Sequence, residues 1–175
     1  SLVCGLARVR LPITTHILQA LVTEPVKPFL DETVVSSQMR LYVHQTTRGE
    51  FVAGSEVEPY TTYRSTGTLG FLETAARNLV ELFPRLQHVN LLRTWTGLCD
   101  ITPDYSPIIE AGPLPGLVIS AGWGTYGFKA APLVGRTVAD LVATGRVDPL
   151  IAPFSLGRFE RDALVSETAS ASMSH

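Results

Sequence analysis

The chain has 175 residues, of which 45% are hydrophobic and 17% charged, with a formal net charge of -2. This length corresponds to one domain or to one domain with part of another, and the apolar content excludes wholesale disorder. The charge balance disfavours nucleic-acid binding, and no run approaches the roughly 20 apolar residues of a membrane span. Cys4 and Cys99 form neither a disulfide framework nor a CxxC pair. We therefore expect reduced thiols, no metal site and a cytoplasmic location.

The N-terminal half of the chain is predicted to contain a strand and a hairpin. Apolar and polar residues alternate over residues 11–23, which is typical of a β-strand, and Pro25 closes the segment. Residues 41–47 and 50–57 alternate in the same way on either side of a turn at residues 48–49. These two segments are therefore predicted to pair as a β-hairpin.

A helix is predicted over residues 68–83, because apolar side chains recur there at helical spacing and Pro84 follows. The side chains predicted to share its buried face are Leu69, Leu72, Ala76, Leu79, Val80 and Phe83. Residues 89–98 are rich in β-branched and aromatic residues, which predicts a further strand.

The C-terminal half is predicted to contain two short strands, at residues 107–109 and 117–121, and a second helix at residues 128–144 that ends before Gly145. The apolar face of this helix is predicted to consist of Val134, Val138, Leu141 and Val142. The order of elements predicts an α+β fold. In it, an antiparallel sheet with packed helices is followed by one β–α unit that belongs to another sheet.

Three glycines separate the last predicted strand from the last helix. Gly122, Gly124 and Gly127 match the GxGxxG pattern of dinucleotide-binding folds, and Asp148 falls about twenty residues on, where such folds have an acidic residue. However, no predicted strand leads into Asp148, and the roughly 30 residues that follow are too few to complete a doubly wound sheet. A second interpretation is a strand-to-helix turn that binds no ligand.

A third interpretation, which we favour, is a site for an anion or a flavin. Glycine lets the main chain approach a planar group closely, and a helix N-terminus offers N–H donors with a partial positive charge. Lys129 adds a cation at the end of the helix where the dipole disfavours one. Recognition of a carboxylate or of a reduced flavin would explain that placement.

Two segments resemble a known family. Residues 93–109 (RTWTGLCDITPDYSPII) resemble the WxG…TPDxxPII segment of the D-amino-acid-oxidase-like FAD-dependent oxidoreductases. Residues 122–129 (GWGTYGFK) are similar to the C-terminal flavin loop of that family. Residues 152–159 (APFSLGRF) are similar to the tail of its sarcosine oxidase branch, and the resemblance extends over nearly the whole chain.

The resemblance implies a C-terminal portion or subunit of a flavin-dependent amine oxidoreductase. Such an enzyme oxidises a secondary amino acid such as sarcosine by hydride transfer to FAD. In this chain Lys129 would bind the substrate carboxylate as the catalytic residue. The residues implied in FAD binding are Gly97, Gly122, Trp123, Gly124, Thr125, Tyr126, Gly127, Phe128 and Lys129. Core packing is the alternative for Trp123 and Phe128, whereas Thr125 and Tyr126 would offer backbone N–H groups to the flavin's pyrimidine edge.

The sequence departs from the family pattern in three ways. The N-terminal FAD-binding βαβ unit is not part of it. The cysteine that bonds covalently to flavin in monomeric relatives corresponds to Gly97, and Cys99 lies two residues later, which implies FAD bound non-covalently to this chain. The lysine that those relatives use for oxygen activation would fall within residues 50–54, where none occurs.

The resemblance also implies an organisation. Residues 1–95 would form the substrate-binding sheet region and residues 96–165 the C-terminal part of the flavin-binding domain, followed by a disordered tail at residues 166–175. FAD would be bound jointly with a missing N-terminal half or a partner chain, in a hetero-oligomer with other oxidase subunits. The alternative is a non-catalytic assembly subunit that retains the fold.

Several polar residues outside the loop have weaker functional indications. Asp104 follows Thr-Pro in a turn sequence, so we expect its carboxylate to cap the turn rather than to contact substrate. Arg93 and Asp100 are expected to pair with each other, or one of them to reach the cofactor. His16 and His44 lie on predicted strands and are expected to be structural.

Overall fold

The structure of this chain is a computed structural model that describes residues 2–55 and 57–165. The disordered tail predicted at residues 166–175 lies outside the described residues. The described chain forms two compact units. One consists of residues 2–15 and 99–165, and the other of residues 16–98 without residue 56.

Three α-helices and seven strands succeed one another along the described chain. They are α1 (Leu2–Leu6), β1 (Thr14–Pro25), β2 (Val34–Ser36), β3 (Leu41–Gln45), β4 (Glu50–Ser55), α2 (Leu69–Leu82), β5 (Leu91–Ile101), β6 (Ile108–Ala111), β7 (Val118–Ala121) and α3 (Gly127–Thr144). Every predicted element is confirmed to within a few residues, whereas α1 and β2 were not predicted. Among the residues that the structure describes, no helix is both long enough and apolar enough to cross a bilayer.

The unit of residues 16–98 is built on a five-stranded sheet with the order β2-β3-β4-β1-β5. The pairs β2–β3, β3–β4 and β4–β1 are all antiparallel. The turn between β3 and β4 requires glycine at Gly49, because its φ is +105° and a Cβ would collide with the backbone of Val26. The predicted hairpin and the predicted antiparallel sheet are confirmed.

Helix α2 packs against this sheet. Thr68 caps the helix N-terminus, because its hydroxyl oxygen accepts a hydrogen bond of 3.2 Å from the N–H of Phe71. The buried helix residues are Phe71, Ala75 and Leu79, and the sheet residues in the same hydrophobic cluster are Leu21, Leu41, Val43, Phe51 and Ala53. The predicted buried face is partly wrong, since Leu69 is 68% exposed. The sheet meets the side of the helix that is centred on Ala75.

The other unit contains the second sheet, in which β6 and β7 pair antiparallel. Helix α3 follows β7 and buries Leu141 in a cluster with Ile109 and Ile151. The helix ends at Gly145, whose φ of +70° gives a left-handed cap. The predicted β–α unit of another sheet, and with it the α+β class, is confirmed, although Val142 of the predicted apolar face is 65% exposed.

The first residues of the chain pack with the C-terminal part. Val9 and Leu11 are buried in one cluster with Ile108 and Ile119. This N-terminal segment therefore belongs to the unit that contains α3, although the sequence grouped it with the sheet region of residues 1–95. An apolar pattern indicates that side chains are buried, but it does not say in which core. The functional names given to the two predicted domains stay predictions.

Candidate functional site

The loop at residues 122–127, which we call the glycine loop, connects β7 to α3. Gly122 has a φ of +73° and Gly124 a φ of +51°, both in the left-handed region that favours glycine. A Cβ on Gly122 would lie only 2.5 Å from Cγ2 of Thr102, so glycine is needed there for space as well as for conformation. At Gly124 the nearest atom to a Cβ would be Ile101 Cδ1 at 3.4 Å, so only the conformation demands glycine.

Backbone hydrogen bonds fix the path of the glycine loop. The N–H of Gly124 donates to the carbonyl oxygen of Asp100 at 3.0 Å, which fastens the loop to the end of β5. The N–H of Tyr126 donates to the carbonyl oxygen of Trp123 at 2.9 Å. The predicted donation of the Tyr126 N–H to a flavin would therefore compete with a bond inside the loop. The corresponding role of the Thr125 N–H stays a prediction, and the Thr125 side chain is exposed.

The N-terminus of α3 begins where the glycine loop ends. The peptide dipoles of this 18-residue helix place a partial positive charge at that end. In the described part of the chain, no acidic side chain lies in the first turn and no side chain caps it. Lys129, at the third helical position, adds a full positive charge. This end of α3 therefore favours an anionic or electron-rich group.

The Lys129 side chain is exposed and folds back onto the loop. Its Nζ lies 4.4 Å from the centroid of the Tyr126 ring, which is a cation–π contact. Such a contact restrains the ammonium without occupying its three N–H donors in conventional hydrogen bonds. Lys129 is thus held beside the glycine loop in a position from which it can donate to a carboxylate.

Trp123 and Phe128, for which core packing was the alternative to a flavin contact, differ in how deeply they are buried. Trp123 is half-buried and packs in the cluster of Leu141 and Ile151, and its Nε1–H donates to Ser120 Oγ at 3.2 Å. Core packing is therefore observed for Trp123. Phe128 is 98% exposed, so core packing is wrong for this residue. The predicted flavin contacts of both rings stay predictions.

A cavity of about 390 Å³ adjoins the glycine loop and α3. Its lining is mainly apolar and includes Trp123, Tyr126, Lys129, Leu133, Ile151 and Phe154. A cavity of about 780 Å³ lies in the other unit, beside α2 and β3, and none of the predicted site residues lines it. Of the two cavities, only the smaller one involves residues predicted to bind the cofactor.

Gly97 lies on β5 in the unit of residues 16–98, where no heavy atom comes within 4 Å of the position that a Cβ would take. The structure therefore gives no steric reason for glycine there, and its role in cofactor binding stays a prediction. Cys99, two residues later, is only 7% exposed. Burial, and secondly the negative charge of Asp100, raise the pKa of its thiol, so the reactive thiolate is scarce.

Asp104 has a partner that the sequence did not indicate. The N–H of Ser106 donates to Asp104 Oδ1 at 3.2 Å, which confirms the expected turn cap. In addition, Arg158 donates from Nε to Oδ2 at 2.7 Å and from Nη2 to Oδ1 at 2.9 Å. Burial alone would raise the pKa of the Asp104 carboxyl. The hydrogen bonds from Arg158, Val165 and Ser106 outweigh it and hold that pKa below its usual value. Asp104 and Arg158 are 54 positions apart, so no local pattern in the sequence indicates this pair.

Other candidate residues have structural partners. His16 is buried, and its Nδ1 lies 2.8 Å from the carbonyl oxygen of Glu58, in agreement with the expected structural role. Asp100 Oδ1 accepts a hydrogen bond of 3.1 Å from Thr15 Oγ1, whereas the suggested pairing with Arg93 stays a prediction. Among the residues that the structure describes, no group of three or more His, Cys, Asp or Glu side chains is placed to hold a metal ion.

The fold and the loop together define a class of protein. An antiparallel sheet and a β–α unit with a glycine loop and a positive helix end, in one chain, are what the resemblance to FAD-dependent oxidoreductases implied. The chain belongs to the FAD dependent oxidoreductase (DAO) family, which matches it over residues 2–141. The family resemblance of residues 93–109 and 122–129 is thereby confirmed.

Relatives within this family are similar over the full chain. The sarcosine oxidase subunit beta of Rhodobacter capsulatus is 39% identical over 175 residues, which is 100% of this chain and 42% of that protein. The subunit of the same name from Arthrobacter sp is 40% identical, over 100% of this chain and 43% of its own length. The crystal structure of L-proline dehydrogenase from P. horikoshii matches with a TM-score of 0.80 at 32% identity, over 90% of this chain and 43% of that one. The chain thus spans less than half the length of the curated relatives it matches.

Proposed function

We propose that this chain supplies the substrate-binding sheet and the C-terminal flavin loop of a sarcosine-oxidase-type enzyme that oxidises a secondary amino acid. FAD, when bound, supplies the oxidising chemistry by accepting a hydride from the carbon attached to the substrate nitrogen. The names of the relatives support this substrate class, because sarcosine and L-proline are both secondary amino acids.

The proposal rests on three features that follow one another within residues 122–129: the glycine loop, the N-terminus of α3 and Lys129. Gly124, which has no side chain and only Ile101 Cδ1 at 3.4 Å from the position of a Cβ, presents main chain that suits the close approach of a planar ring. The positive end of α3 suits an electron-rich edge of that ring. This arrangement therefore fits FAD, and it belongs to the segment that resembles the family's flavin loop.

Lys129 would bind the substrate carboxylate. Its ammonium, restrained by the Tyr126 ring, is the charged donor of the first turn of α3. A charge-assisted hydrogen bond to the carboxylate would fix the orientation of the amino acid and hence of the carbon that reacts. The exposed Phe128 ring would help to exclude water from the bound substrate.

FAD would be held jointly by this chain and by protein that the sequence does not include. The chain spans 42% of the Rhodobacter capsulatus relative, and the FAD pyrophosphate needs main-chain donors of its own. We therefore propose that FAD is bound jointly with a nucleotide-binding half, which is either the rest of the same polypeptide or a partner chain, within a hetero-oligomer with other oxidase subunits. FAD would be bound without a covalent bond to this chain, because glycine stands at position 97 and Cys99 is buried.

The Lys129→Met variant of the assembled enzyme tests this function. Methionine keeps most of the stem volume and removes the charge. A hydrogen bond to a charged group contributes about 1.5–3 kcal/mol. Half-saturation for sarcosine in stopped-flow flavin reduction should therefore rise about ten- to a hundred-fold. Dimethylamine, which lacks the carboxylate, should be oxidised equally well by both proteins, and flavin content should be unchanged.

Lys27→Met is the matched control, because Lys27 is the other lysine of this chain and lies outside the loop. It should leave sarcosine half-saturation as it is. Equal losses for sarcosine and dimethylamine in Lys129→Met would show that Lys129 is not the carboxylate ligand. An assembled complex that contains no flavin would favour the alternative of a non-catalytic assembly subunit.

A further inference from the structure

A buried ion pair lies outside the proposed cofactor and substrate contacts. The side chains of Arg158 and Asp104 are 1% and 3% exposed, and two parallel N–H···O bonds join them at 2.7 and 2.9 Å. The same guanidinium donates to the carbonyl oxygens of Ser106 at 2.7 Å and Ser155 at 3.1 Å. It also stacks 4.1 Å from the Phe159 ring centroid. Four of the five N–H groups of this guanidinium therefore donate to protein oxygens, and together with the stacked ring they fix its orientation.

The carboxylate of the pair organises the turn at residues 102–106. Its Oδ1 accepts from the N–H of Ser106 and from the hydroxyl of Thr102, both at 3.2 Å. Its Oδ2 accepts from the N–H of Val165 at 3.1 Å. Within the turn, Tyr105 has a φ of +56°, a conformation unfavourable for a non-glycine residue. The ion pair holds the chain in this conformation and ties it to the C-terminal segment.

The turn at residues 102–106 supports the glycine loop. Thr102, whose single hydroxyl hydrogen is donated to the Ser106 carbonyl oxygen at 2.7 Å with Asp104 Oδ1 as a second acceptor at 3.2 Å, places its Cγ2 against Gly122. Two residues before Thr102, the carbonyl oxygen of Asp100 accepts from the Gly124 N–H. The contacts thus run without a gap from Arg158 through Asp104 and Thr102 to the glycine loop.

We infer that Asp104 and Arg158 are positioning residues that hold the glycine loop in its binding conformation. They act through Thr102 rather than by touching substrate or cofactor. The consequence for FAD affinity rests on the proposed function of the loop. A guanidinium suits this task because its planar fork makes two parallel bonds to the carboxylate and still donates to two carbonyl oxygens, whereas an ammonium has three donors on a single atom and no planar fork.

The test is amide hydrogen exchange at Gly124 in the assembled enzyme without FAD, together with the dissociation constant for FAD. In Arg158→Lys the charge stays but the fork is lost. The Gly124 N–H should then exchange at least about ten-fold faster, and the FAD dissociation constant should rise about ten-fold. Leu79→Ala is the matched control, since it opens a cavity in the core of the other unit. Even if it lowers Tm as much as Arg158→Lys does, it should leave the Gly124 N–H exchange rate and the FAD dissociation constant within about two-fold of those of the unmodified protein.

A second variant keeps the inference testable if Arg158→Lys does not fold. Thr102→Ser retains the hydroxyl bonds and removes only the methyl group that contacts Gly122. It should accelerate Gly124 exchange with little change in Tm. The inference is overturned if Gly124 exchanges no faster in either folded variant than in Leu79→Ala. Faster exchange with unchanged FAD affinity would support the positioning role and would instead count against the loop as a flavin contact.

Discussion

The replacement Gly122→Ala tests the geometry of the glycine loop most directly. At Gly122 the backbone has a φ of +73°, and a Cβ would approach Thr102 Cγ2 to 2.5 Å. Alanine at this position would therefore meet two separate penalties, one from the backbone conformation and one from the contact. Thr102 cannot easily move away, because it is 2% exposed and its hydroxyl bonds to Ser106 and Asp104.

Each penalty has a known scale. The left-handed conformation costs a residue with a Cβ about 1–2 kcal/mol relative to glycine. Forcing an extra carbon into a packed site costs about 1–3 kcal/mol. The free energy of unfolding should therefore fall by about 2–5 kcal/mol in Gly122→Ala. The loss would be measured by urea unfolding in a Trp95→Phe background, in which Trp123 of the loop is the remaining tryptophan and its fluorescence follows the transition.

Two other glycines separate the penalties. Gly116 has a φ of +79° with nothing within 4 Å of a Cβ, so Gly116→Ala should lose only the conformational part, about 1–2 kcal/mol. Gly135 lies inside α3, also with open space, and Gly135→Ala should stabilise the chain by about 0.5–1 kcal/mol. Equal losses in Gly122→Ala and Gly116→Ala would refute the contact with Thr102.

Three further predictions concern the ion pair, the cap of α2 and the buried thiol. The pKa of Asp104 lies below its ordinary 3.8, so its stabilisation is complete above pH 3.8 and is lost as the pH falls through the lower folded value. Asp104→Asn should lower the free energy of unfolding by about 3–5 kcal/mol at pH 7, measured by urea unfolding. Because the variant has no carboxylate to protonate there, its free energy of unfolding should fall less steeply below pH 4 than that of the unmodified chain. An equally steep fall in both proteins would contradict this. Thr68→Ala should lower the free energy of unfolding by about 1 kcal/mol while Thr68→Ser should not, and equal stabilities of the two variants would argue against the cap. Cys99 should react with iodoacetamide more slowly in the native protein than in urea, measured by mass spectrometry, and equal rates would show that the thiol is accessible.

Local sequence signals predicted the elements well but their packing less well. The helical spacing of apolar residues and the proline after α2 bounded that helix correctly. Its buried side was misjudged, because apolar residues occur on more than one side and only contact with the sheet selects Phe71 and Ala75 over Leu69. Likewise, the location of Val9 and Leu11 in the core with Ile108 follows only from the tertiary fold.

The candidate site shows the same division. Glycine spacing and Lys129 revealed the loop from the sequence, because a left-handed turn before a helix demands glycines at fixed positions. The exposure of Phe128 and the packing of Trp123 were undetermined, since both rings are equally apolar in sequence. The pairing of Asp104 with Arg158 was not visible at all.

By itself, the sequence determined the α+β class, the limits of most elements, the family and the position of the glycine loop. Each of these depends on neighbouring residues or on a contiguous motif. The tertiary structure alone decided which apolar faces meet, which ring near the loop is exposed, and that Arg158 neutralises Asp104 across 54 positions. These features depend on contacts between distant segments, and the energy of such a contact exists only once both partners have been brought out of water into the same place.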